Sequence, residues 1–249
     1  MKAMKLIYSG ICDIGMKREK NQDSIFMCSK KEMSLFVVAD GMGGHTGGEI
    51  ASGMITAGFQ NWAKNFEENF FDGNFSKMMK ALENRLEEIN REIYQKFNQT
   101  QICGSTCVLL FVYRENYGII NIGDSRIYKK DGWKIKSVMK DDVWENRTDV
   151  KERFSNREII NHANYGKLLQ AVGIAENILL ASKTDLLKKG DSFLLCSDGL
   201  YKFCQEKDMR KIVRGMNESN MEESMKKMVA KCYEAGAKDN ISVIAVKCV

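Results

Sequence analysis

The sequence of 249 residues contains no proline, and only two of its residues are histidine. Without proline, its turns must be made by glycine, asparagine, aspartate or serine, and no X-Pro isomerisation can slow folding. Two histidines are too few for a histidine-rich metal site. Any metal bound by this chain would therefore need other side chains as its ligands.

Cysteine is present at eight positions, but the spacings that signal cysteine chemistry are missing. No two cysteines have the Cys-x-x-Cys spacing of a zinc or redox motif. Most of them lie inside apolar runs such as Thr106-Cys107-Val108-Leu109-Leu110. This pattern favours reduced cysteines that pack as small apolar side chains over a disulfide framework or a zinc site.

Long hydrophobic runs and basic blocks are also missing. No stretch of about 18 or more apolar residues occurs, and the first ten residues lack the apolar segment of a signal peptide. We therefore expect a cytoplasmic protein with no membrane partner. The net charge of +5 is spread along the chain, without a basic block or alternating aromatic and basic residues, so we expect no nucleic-acid partner.

The residues that are present suit a globular protein with one large core, since 44% are hydrophobic and 29% are charged. Strand-like and helix-like segments come in blocks rather than in strict alternation, which predicts an α+β protein with antiparallel sheets. No linker or repeat divides the chain, so we expect a single domain over residues 1–249. Residues 139–165 are charged and lack apolar periodicity, which predicts an irregular excursion with one short helix.

Two long helices are predicted, over residues 47–69 and 75–98. In the second, apolar residues recur at steps of three and four positions, as at Leu82, Leu86 and Ile89. This spacing places them on one face of a helix, which we expect to pack against the core.

Acidic residues stand at the ends of three apolar runs. Asp40-Gly41 and Asp198-Gly199 each follow such a run, and Asp239-Asn240 precedes another. A single Asp-Gly pair after a strand is typical of a turn. Carboxylates at several strand ends can instead converge and bind a hard divalent cation. Taken singly, the residues leave both interpretations open.

Short motifs with possible chemical roles follow one another along the whole chain. In order, they are Asp13-x-Gly15-x-x-Arg18-x-x-Asn21-Gln22-Asp23-Ser24, Val38-Ala39-Asp40-Gly41-Met42-Gly43-Gly44-His45, Gly48-Glu49-x-Ala51-Ser52, Gly104-Ser105-Thr106, Asn121-Ile122-Gly123-Asp124-Ser125-Arg126-x-Tyr128, Ser197-Asp198-Gly199-Leu200 and Asp239-Asn240-Ile241-Ser242. In this order they resemble the bacterial form of the protein phosphatase 2C family, which are metal-dependent Ser/Thr phosphatases. The resemblance runs from residue 5 to the C-terminus. It implies a four-layer α-β-β-α sandwich of two antiparallel sheets flanked by helices.

The resemblance also implies two bound cations, Mn²⁺ or Mg²⁺. Asp40 would bridge the two metals, and the carbonyl of Gly41 would bind one of them. Asp198 and Asp239 would bind the other metal. Two such cations can neutralise a phosphate monoester and activate a water molecule for attack on phosphorus. Both metals prefer the oxygen ligands that these residues offer.

The resemblance also implies roles for three further residues. Arg18 would clamp the phosphate, because its planar guanidinium can hold two phosphate oxygens. Asp23 would lie outside the ligand set and support metal-bound water. Asp124 resembles the family's ligand for a third, weaker cation, and pairing with Arg126 as a clamp within their loop is the competing interpretation.

The sequence departs from the family's pattern at three places. Gln22 stands where many members have glutamate, which removes one negative charge near the second metal. Met42 stands where eukaryotic members have a histidine proposed as general acid; His45 is nearby, with a capping or solvent-facing role as the competing interpretation. Asp141-Asp142-Val143 replaces the frequent Asp-His-Ser of the variable flap, residues 139–165, where we expect substrate choice to be determined.

We therefore expect a metal-dependent phosphatase of phosphoserine and phosphothreonine in proteins. It would act as a monomer on phosphoproteins produced by a bacterial Ser/Thr kinase. The alternative is a pseudophosphatase that binds a phosphoprotein without hydrolysing it, and Gln22 is the residue that points to it. A two-metal nuclease would have suitable metal chemistry, but the chain lacks a basic stripe for nucleic acid.

Overall fold

The computed structural model describes residues 4–43, 47–97 and 102–249 of the chain. Within these ranges, two antiparallel β-sheets lie face to face, and helices cover both outer faces. The strands are β1 (Leu6–Asp13), β2 (Asp23–Lys30), β3 (Met33–Gly43), β4 (Cys103–Ser105), β5 (Cys107–Tyr113), β6 (Asn116–Ile122), β7 (Arg126–Asp131), β8 (Lys134–Ser137), β9 (Ala181–Leu186), β10 (Ser192–Cys196) and β11 (Ile241–Cys248). The α-helices are α1 (Gly47–Lys64), α2 (Phe75–Phe97), α3 (Thr148–Arg153), α4 (Asn156–Ile160), α5 (Asp198–Tyr201), α6 (Glu206–Gly215) and α7 (Met221–Glu234). The α+β class and the α-β-β-α layering are confirmed.

One sheet has the strand order β1-β11-β10-β7-β8, and the other has the order β2-β3-β5-β6-β9, with β4 pairing the end of β3. Every pairing within them is antiparallel. Strand β1 pairs along its whole length with β11, from Leu6 opposite Cys248 to Asp13 opposite Ile241. An early strand and a late strand of the chain are therefore neighbours in one sheet.

Strand β3 shows how the layers are joined. Side chains alternate between the two faces of a strand. Leu35 and Val37 pack in the cluster formed with α1 and α2, whereas Phe36 and Val38 pack between the sheets. Because both faces are covered, β3 reads as an unbroken apolar run, and its acidic end is held in a fixed position.

The predicted apolar face of α2 is confirmed as core. Leu82, Leu86, Ile89 and Ile93 are fully buried against the β2–β3–β5 sheet. Burying an aliphatic side chain of this size stabilises the fold by about 1.5–3 kcal/mol. On the opposite side of the molecule, α6 and α7 pack against the other sheet with a methionine-rich cluster.

The prediction for residues 139–165 was wrong in its detail. The segment contains two short helices, α3 and α4, and a 3₁₀ turn at Trp144–Asn146. Trp144, Val150 and Ile159 form a small buried cluster of their own. These apolar residues are too widely spaced to give a helical period, so the sequence pattern did not predict that they would form a buried cluster.

Strand β9 was not predicted. Its sequence, Ala181–Leu186, carries mostly polar side chains, and all but the first are exposed. It lies at the edge of the sheet and, among the described strands, pairs with β6 alone, so backbone hydrogen bonds rather than an apolar pattern define it. A strand of this kind has little signal in a single sequence.

The cysteine prediction is supported. No disulfide joins cysteines in the described ranges, and all of them except Cys12 and Cys28 are buried. Burial also raises the pKa of all eight of these thiols. No described helix is long and apolar enough to cross a membrane.

Candidate active site

A cleft of about 300 Å³ opens at one end of the sandwich. At this point the end of β3 in one sheet lies near the end of β10 and the start of β11 in the other sheet, and acidic residues stand at all three positions. The lining of the cleft consists of Arg18, Gln22, Asp40, Gly41, Met42, Gly43, Thr106, Asp124, Leu168, Asp198, Asp239 and Asn240. All the predicted site residues except Asp23 are thus brought together in this lining. His45 lies outside the described residues.

Asp40 is positioned by strands on both sides. On one side, Asp23 is the first residue of β2 and lies directly opposite Asp40 in the ladder. On the other side, the Asp40 amide donates to Thr106 Oγ1 at 3.1 Å, and the Asp40 carbonyl accepts from the Thr106 amide at 2.9 Å. Ser105 Oγ also donates to the Asp40 carbonyl at 3.0 Å. The Gly104-Ser105-Thr106 motif therefore holds the main chain that carries the central carboxylate.

Neither Asp-Gly pair forms the hairpin turn that such a pair suggests singly. Gly41 lies within β3, and Gly199 lies in the first turn of α5. A Cβ atom on Gly41 would collide with the carbonyl oxygen of Gly48, and one on Gly199 would collide with the carbonyl oxygen of Asn240. Both glycines are thus required for close backbone approach, which brings neighbouring segments against the acidic residues.

Asp23 lies behind the cleft and is only 8% exposed. Its Oδ2 accepts a hydrogen bond from Ser197 Oγ at 2.7 Å. Ser197 Oγ in turn accepts from the amide of Ser242 at 3.0 Å. This chain of hydrogen bonds joins the start of β2 to the residue preceding Asp198 and to β11, so the two sheets are fixed relative to each other beside the site.

Asn240 organises the loop that carries Arg18. Its Nδ2 donates to the carbonyls of Ile14 and Lys20, at 2.9 and 3.0 Å, and its Oδ1 accepts from the Gln22 amide at 2.9 Å. These bonds hold the β1–β2 loop over the start of β11. Arg18 then forms a two-point ion pair with Asp239, with Nε to Oδ1 and Nη2 to Oδ2 both at 2.8 Å.

The loop after β6 brings Asp124 into the cleft. Ser125 Oγ lies 2.7 Å from Thr106 Oγ1, which connects this loop to the residue that holds Asp40. The competing interpretation of Asp124 as a clamp for Arg126 is wrong, because Arg126 pairs with Asp141, at 2.7 Å between Nη2 and Oδ2. Arg126 also stacks over the ring of Tyr201 at 3.6 Å.

The flap is attached to the same loop. The Gly123 amide donates to Asp142 Oδ2 at 3.0 Å, and the Asp142 amide donates to the Gly123 carbonyl at 2.9 Å. The Leu169 amide donates to the Asp142 carbonyl at 2.7 Å. The start of the flap and the segment that follows the flap therefore meet beside Asp124, and Leu168 in that following segment reaches the wall of the cleft.

The carboxylates of the cleft carry more negative charge than their surroundings neutralise. Burial, and then repulsion by Asp23, Asp198, Asp124 and Asp239, raise the pKa of Asp40 well above its ordinary value. Burial and the charge of Asp198 also raise the pKa of Asp124 to about 6. Burial raises the pKa of Asp23 to about 6 despite its hydrogen bond from Ser197. A bound cation would relieve this repulsion.

The donor set fits hard divalent cations, since it consists of carboxylate and carbonyl oxygens without thiolate or imidazole. The side chains do not, however, converge on a common point as they stand. Among the described residues, no group of three or more acidic, histidine or cysteine side chains is arranged to hold a metal ion. Asp239 is paired instead with Arg18, and Asp198 is paired with Lys202.

Sequence reasoning missed several residues that build this site. Ser197, Thr106 and Asn240 stand inside the recognised motifs, but their contacts cross between strands that are distant in sequence. Lys202 could have been noticed, because it follows Asp198 by four positions in a helical segment, the spacing of an ion pair. Asp142 was noted only as part of Asp141-Asp142-Val143, and nothing in the sequence indicated its hydrogen bonds with Gly123.

Comparisons with known proteins agree with this architecture. Serine/threonine phosphatase Stp of Listeria monocytogenes is 25% identical over 240 residues, which cover 94% of this chain and 93% of that protein. The structure of the S. agalactiae serine/threonine phosphatase matches with a TM-score of 0.86 at 25% identity, over 98% of this chain and 100% of that one. The catalytic domain of the phosphatase PstP, solved in complex with two manganese ions, matches with a TM-score of 0.80 at 23% identity over 100% of both chains, and supports the fold alone.

The fold and the acidic cleft are typical of a class of metal-dependent phosphatases. The sequence profile of protein phosphatase 2C matches residues 16–234, which is most of the chain. The chain belongs to the protein phosphatase 2C family.

Proposed function

We propose that this protein hydrolyses phosphoserine and phosphothreonine monoesters in proteins, with divalent cations bound in the acidic cleft. The observation that carries the proposal is the gathering of Asp40, Asp124, Asp198 and Asp239 in one cleft, with Arg18 at its mouth. Family membership supports the same activity. The carboxylates of this cleft would repel a phosphate dianion as well as one another, so positive charge would be needed to neutralise both.

The carboxylates would hold two metal ions. Asp40 would contact both, with the Gly41 carbonyl on one metal and with Asp198 and Asp239 on the other. Mn²⁺ or Mg²⁺ bound there would supply charge neutralisation and a water of lowered pKa. Asp124 would hold a third, weaker cation. The catalytic domain of PstP, which has the same fold, was solved in complex with two manganese ions.

The remaining roles belong to side chains of this chain. The planar guanidinium of Arg18 would bind two phosphate oxygens and orient the monoester. Asp23 would support the water from behind the ligands, held in place by Ser197. Gln22 contributes mainly its backbone, since its amide donates to Asn240 and its carbonyl accepts from Gly41 and Ser52. These contacts do not require a charge at position 22.

We also propose that residues 1–249 form one catalytic domain, with residues 139–165 as a flap that contributes to substrate choice. Leu168 supports the second part, because it carries the chain from the flap into the cleft wall. The proposed setting is cytoplasmic, with a monomer acting on phosphoproteins made by a Ser/Thr kinase.

A phosphothreonine peptide assay tests the activity. Release of inorganic phosphate should require Mn²⁺ or Mg²⁺ and should stop with EDTA. Asp198→Asn should lower the rate by at least about 100-fold, because it removes a metal-binding charge. Asp72→Asn is the matched control, since Asp72 is exposed and pairs only with Lys77 on the surface.

The same experiment separates the alternatives. Tight binding of the phosphopeptide without phosphate release would indicate a pseudophosphatase. Full activity in EDTA, or unchanged activity in Asp198→Asn, would overturn the proposed function. Far-ultraviolet circular dichroism of each variant would verify that loss of activity does not result from unfolding.

A further inference from the structure

Two side-chain cations are paired with the carboxylates of the acidic cleft. Arg18 holds both oxygens of Asp239, and Lys202 Nζ donates to Asp198 Oδ2 at 2.5 Å. Asp239 and Asp198 are the two residues proposed to bind the same metal. The carboxylates proposed to bind this metal are thus paired with positive charges from the protein's own side chains.

Lys202 is held close to the cleft by its position in the chain. It directly follows α5 and lies four residues after Asp198, so its stem returns along the same face of that short helix. Its side chain is 53% exposed, whereas that of Asp198 is 17% exposed. The charges of Asp124 and Asp40 also act on its ammonium group. Lys202 therefore faces the carboxylate cluster rather than a single partner.

We propose that Lys202 and Arg18 compete with divalent metal for Asp198 and Asp239. The inference rests on the proposed metal site. In the metal-free protein, the two cations reduce the repulsion among the clustered carboxylates. A divalent cation held by these carboxylates would replace their side-chain partners, and the guanidinium of Arg18 would then be free to hold the phosphate.

This competition couples metal and phosphate binding. If metal binding at Asp239 releases Arg18, then metal increases the affinity for phosphate, and phosphate must increase the affinity for metal by the same factor. The exchange is feasible because partly exposed ion pairs contribute little to stability. A weak internal pair can shield a carboxylate in the metal-free state without preventing a divalent cation from displacing it.

The test is a calorimetric titration of MnCl₂ into the EDTA-stripped and dialysed full chain. Lys202→Met keeps the apolar stem and removes the charge, and it should tighten the weaker Mn²⁺ binding step by about 1.5- to fivefold. Lys202→Arg should restore the wild-type affinity. Lys226→Met is the matched control, since Lys226 pairs with Glu222 at the same four-residue spacing on α7, and its Mn²⁺ affinity should not change.

Thermal unfolding gives a second readout that is independent of activity. In EDTA, Lys202→Met should unfold at a lower temperature than the wild type, because the carboxylates lose a counter-charge. Saturating Mn²⁺ should then raise its Tm by more than it raises that of the wild type, since tighter binding stabilises the folded state further. Arg18→Met should likewise bind Mn²⁺ more tightly, but inorganic phosphate should no longer increase its Mn²⁺ affinity.

The outcomes distinguish the inference from the proposed function. Unchanged or weaker Mn²⁺ binding by Lys202→Met would overturn the inference, since it would show that Lys202 is indifferent to the metal or supports it. If the wild type binds Mn²⁺ and hydrolyses the phosphopeptide in that case, the proposed function stands without it. If the wild type takes up no Mn²⁺, the proposed metal site itself is wrong.

Discussion

Asp23 and Asp40 lie directly opposite each other on the neighbouring antiparallel strands β2 and β3. Carboxylates in this relation repel, and like charges directly opposite each other in a sheet destabilise the pairing by up to about 1 kcal/mol. The repulsion is increased by Asp124, Asp198 and Asp239, whose charges also raise the pKa of Asp40. The acidic residues that we propose as cation ligands are therefore placed at this end of the sandwich at the expense of stability.

Asp40→Asn should separate these two effects. Without a charge at this position, Mn²⁺-dependent hydrolysis of a phosphothreonine peptide should fall by at least about 100-fold. In EDTA, the variant should be as stable as the wild type or more stable, because a repelling carboxylate has been replaced by an amide of the same size. Thermal unfolding in EDTA measures the second effect. A marked loss of stability in EDTA would contradict the view that the Asp40 carboxylate destabilises the fold when no metal is bound.

Ser197→Ala should destabilise the protein although it removes only one oxygen. The change leaves the Ser242 amide without its acceptor and removes one hydrogen bond from the Asp23 carboxylate, both in the buried interior. Leaving buried polar groups unpaired costs about 1–3 kcal/mol. Urea unfolding should show a lower midpoint, with Ser219→Ala as the control, because Ser219 is exposed and bonds only to nearby Asn217. Equal midpoints for the two variants would contradict this prediction.

Gly199→Ala should disturb the metal site through the backbone. The new methyl group would collide with the Asn240 carbonyl and push the start of α5, which carries Asp198, away from β11. We expect a lower Tm and weaker Mn²⁺ binding. Gly215→Ala is the control, because nothing lies near its Cβ position and alanine in a helix is favoured by about 0.5–1 kcal/mol. Tight Mn²⁺ binding by Gly199→Ala would show that the close approach is not needed.

Asp142→Ala should separate the flap from the catalytic chemistry. It removes the acceptor for the Gly123 amide and so loosens the base of the flap. We expect the KM for a phosphothreonine peptide to rise by about three- to tenfold, since roughly 1 kcal/mol of hydrogen bonding is lost. The kcat for p-nitrophenyl phosphate, which is too small to reach the flap, should change little. Glu152→Ala, an exposed change within α3, should alter neither value.

The sequence contained enough information for the layers of the fold and for the lining of the cleft. The buried face of α2 repeats with a helical period, and β3 is an uninterrupted apolar run, so both could be predicted from local pattern. The site residues stood in ordered motifs of a known family. The structure then brought Arg18, Asp40 and Asp198 to one cleft, as those motifs implied.

The remaining features depend on contacts that no local pattern contains. Strand β9 exists because β6 offers it a hydrogen-bonding edge, and its own side chains are mostly polar. The buried cluster of the flap joins Trp144 to Ile159 across two short helices. Arg126 could have paired with either Asp124 or Asp141 by charge alone, and only the path of the chain after β8 decides for Asp141.

The pairing of β1 with β11 has a consequence for the newly made chain. Arg18 and Asp239 are separated by 221 positions, and Asn240 must be present to hold the loop that carries Arg18. Until the ribosome has added β11, β1 lacks the neighbouring strand that joins it to β10. A nascent chain that stops before Asp239 therefore cannot assemble the cleft. We therefore expect phosphatase activity to appear only after translation has reached β11, and we expect prematurely terminated products to be inactive.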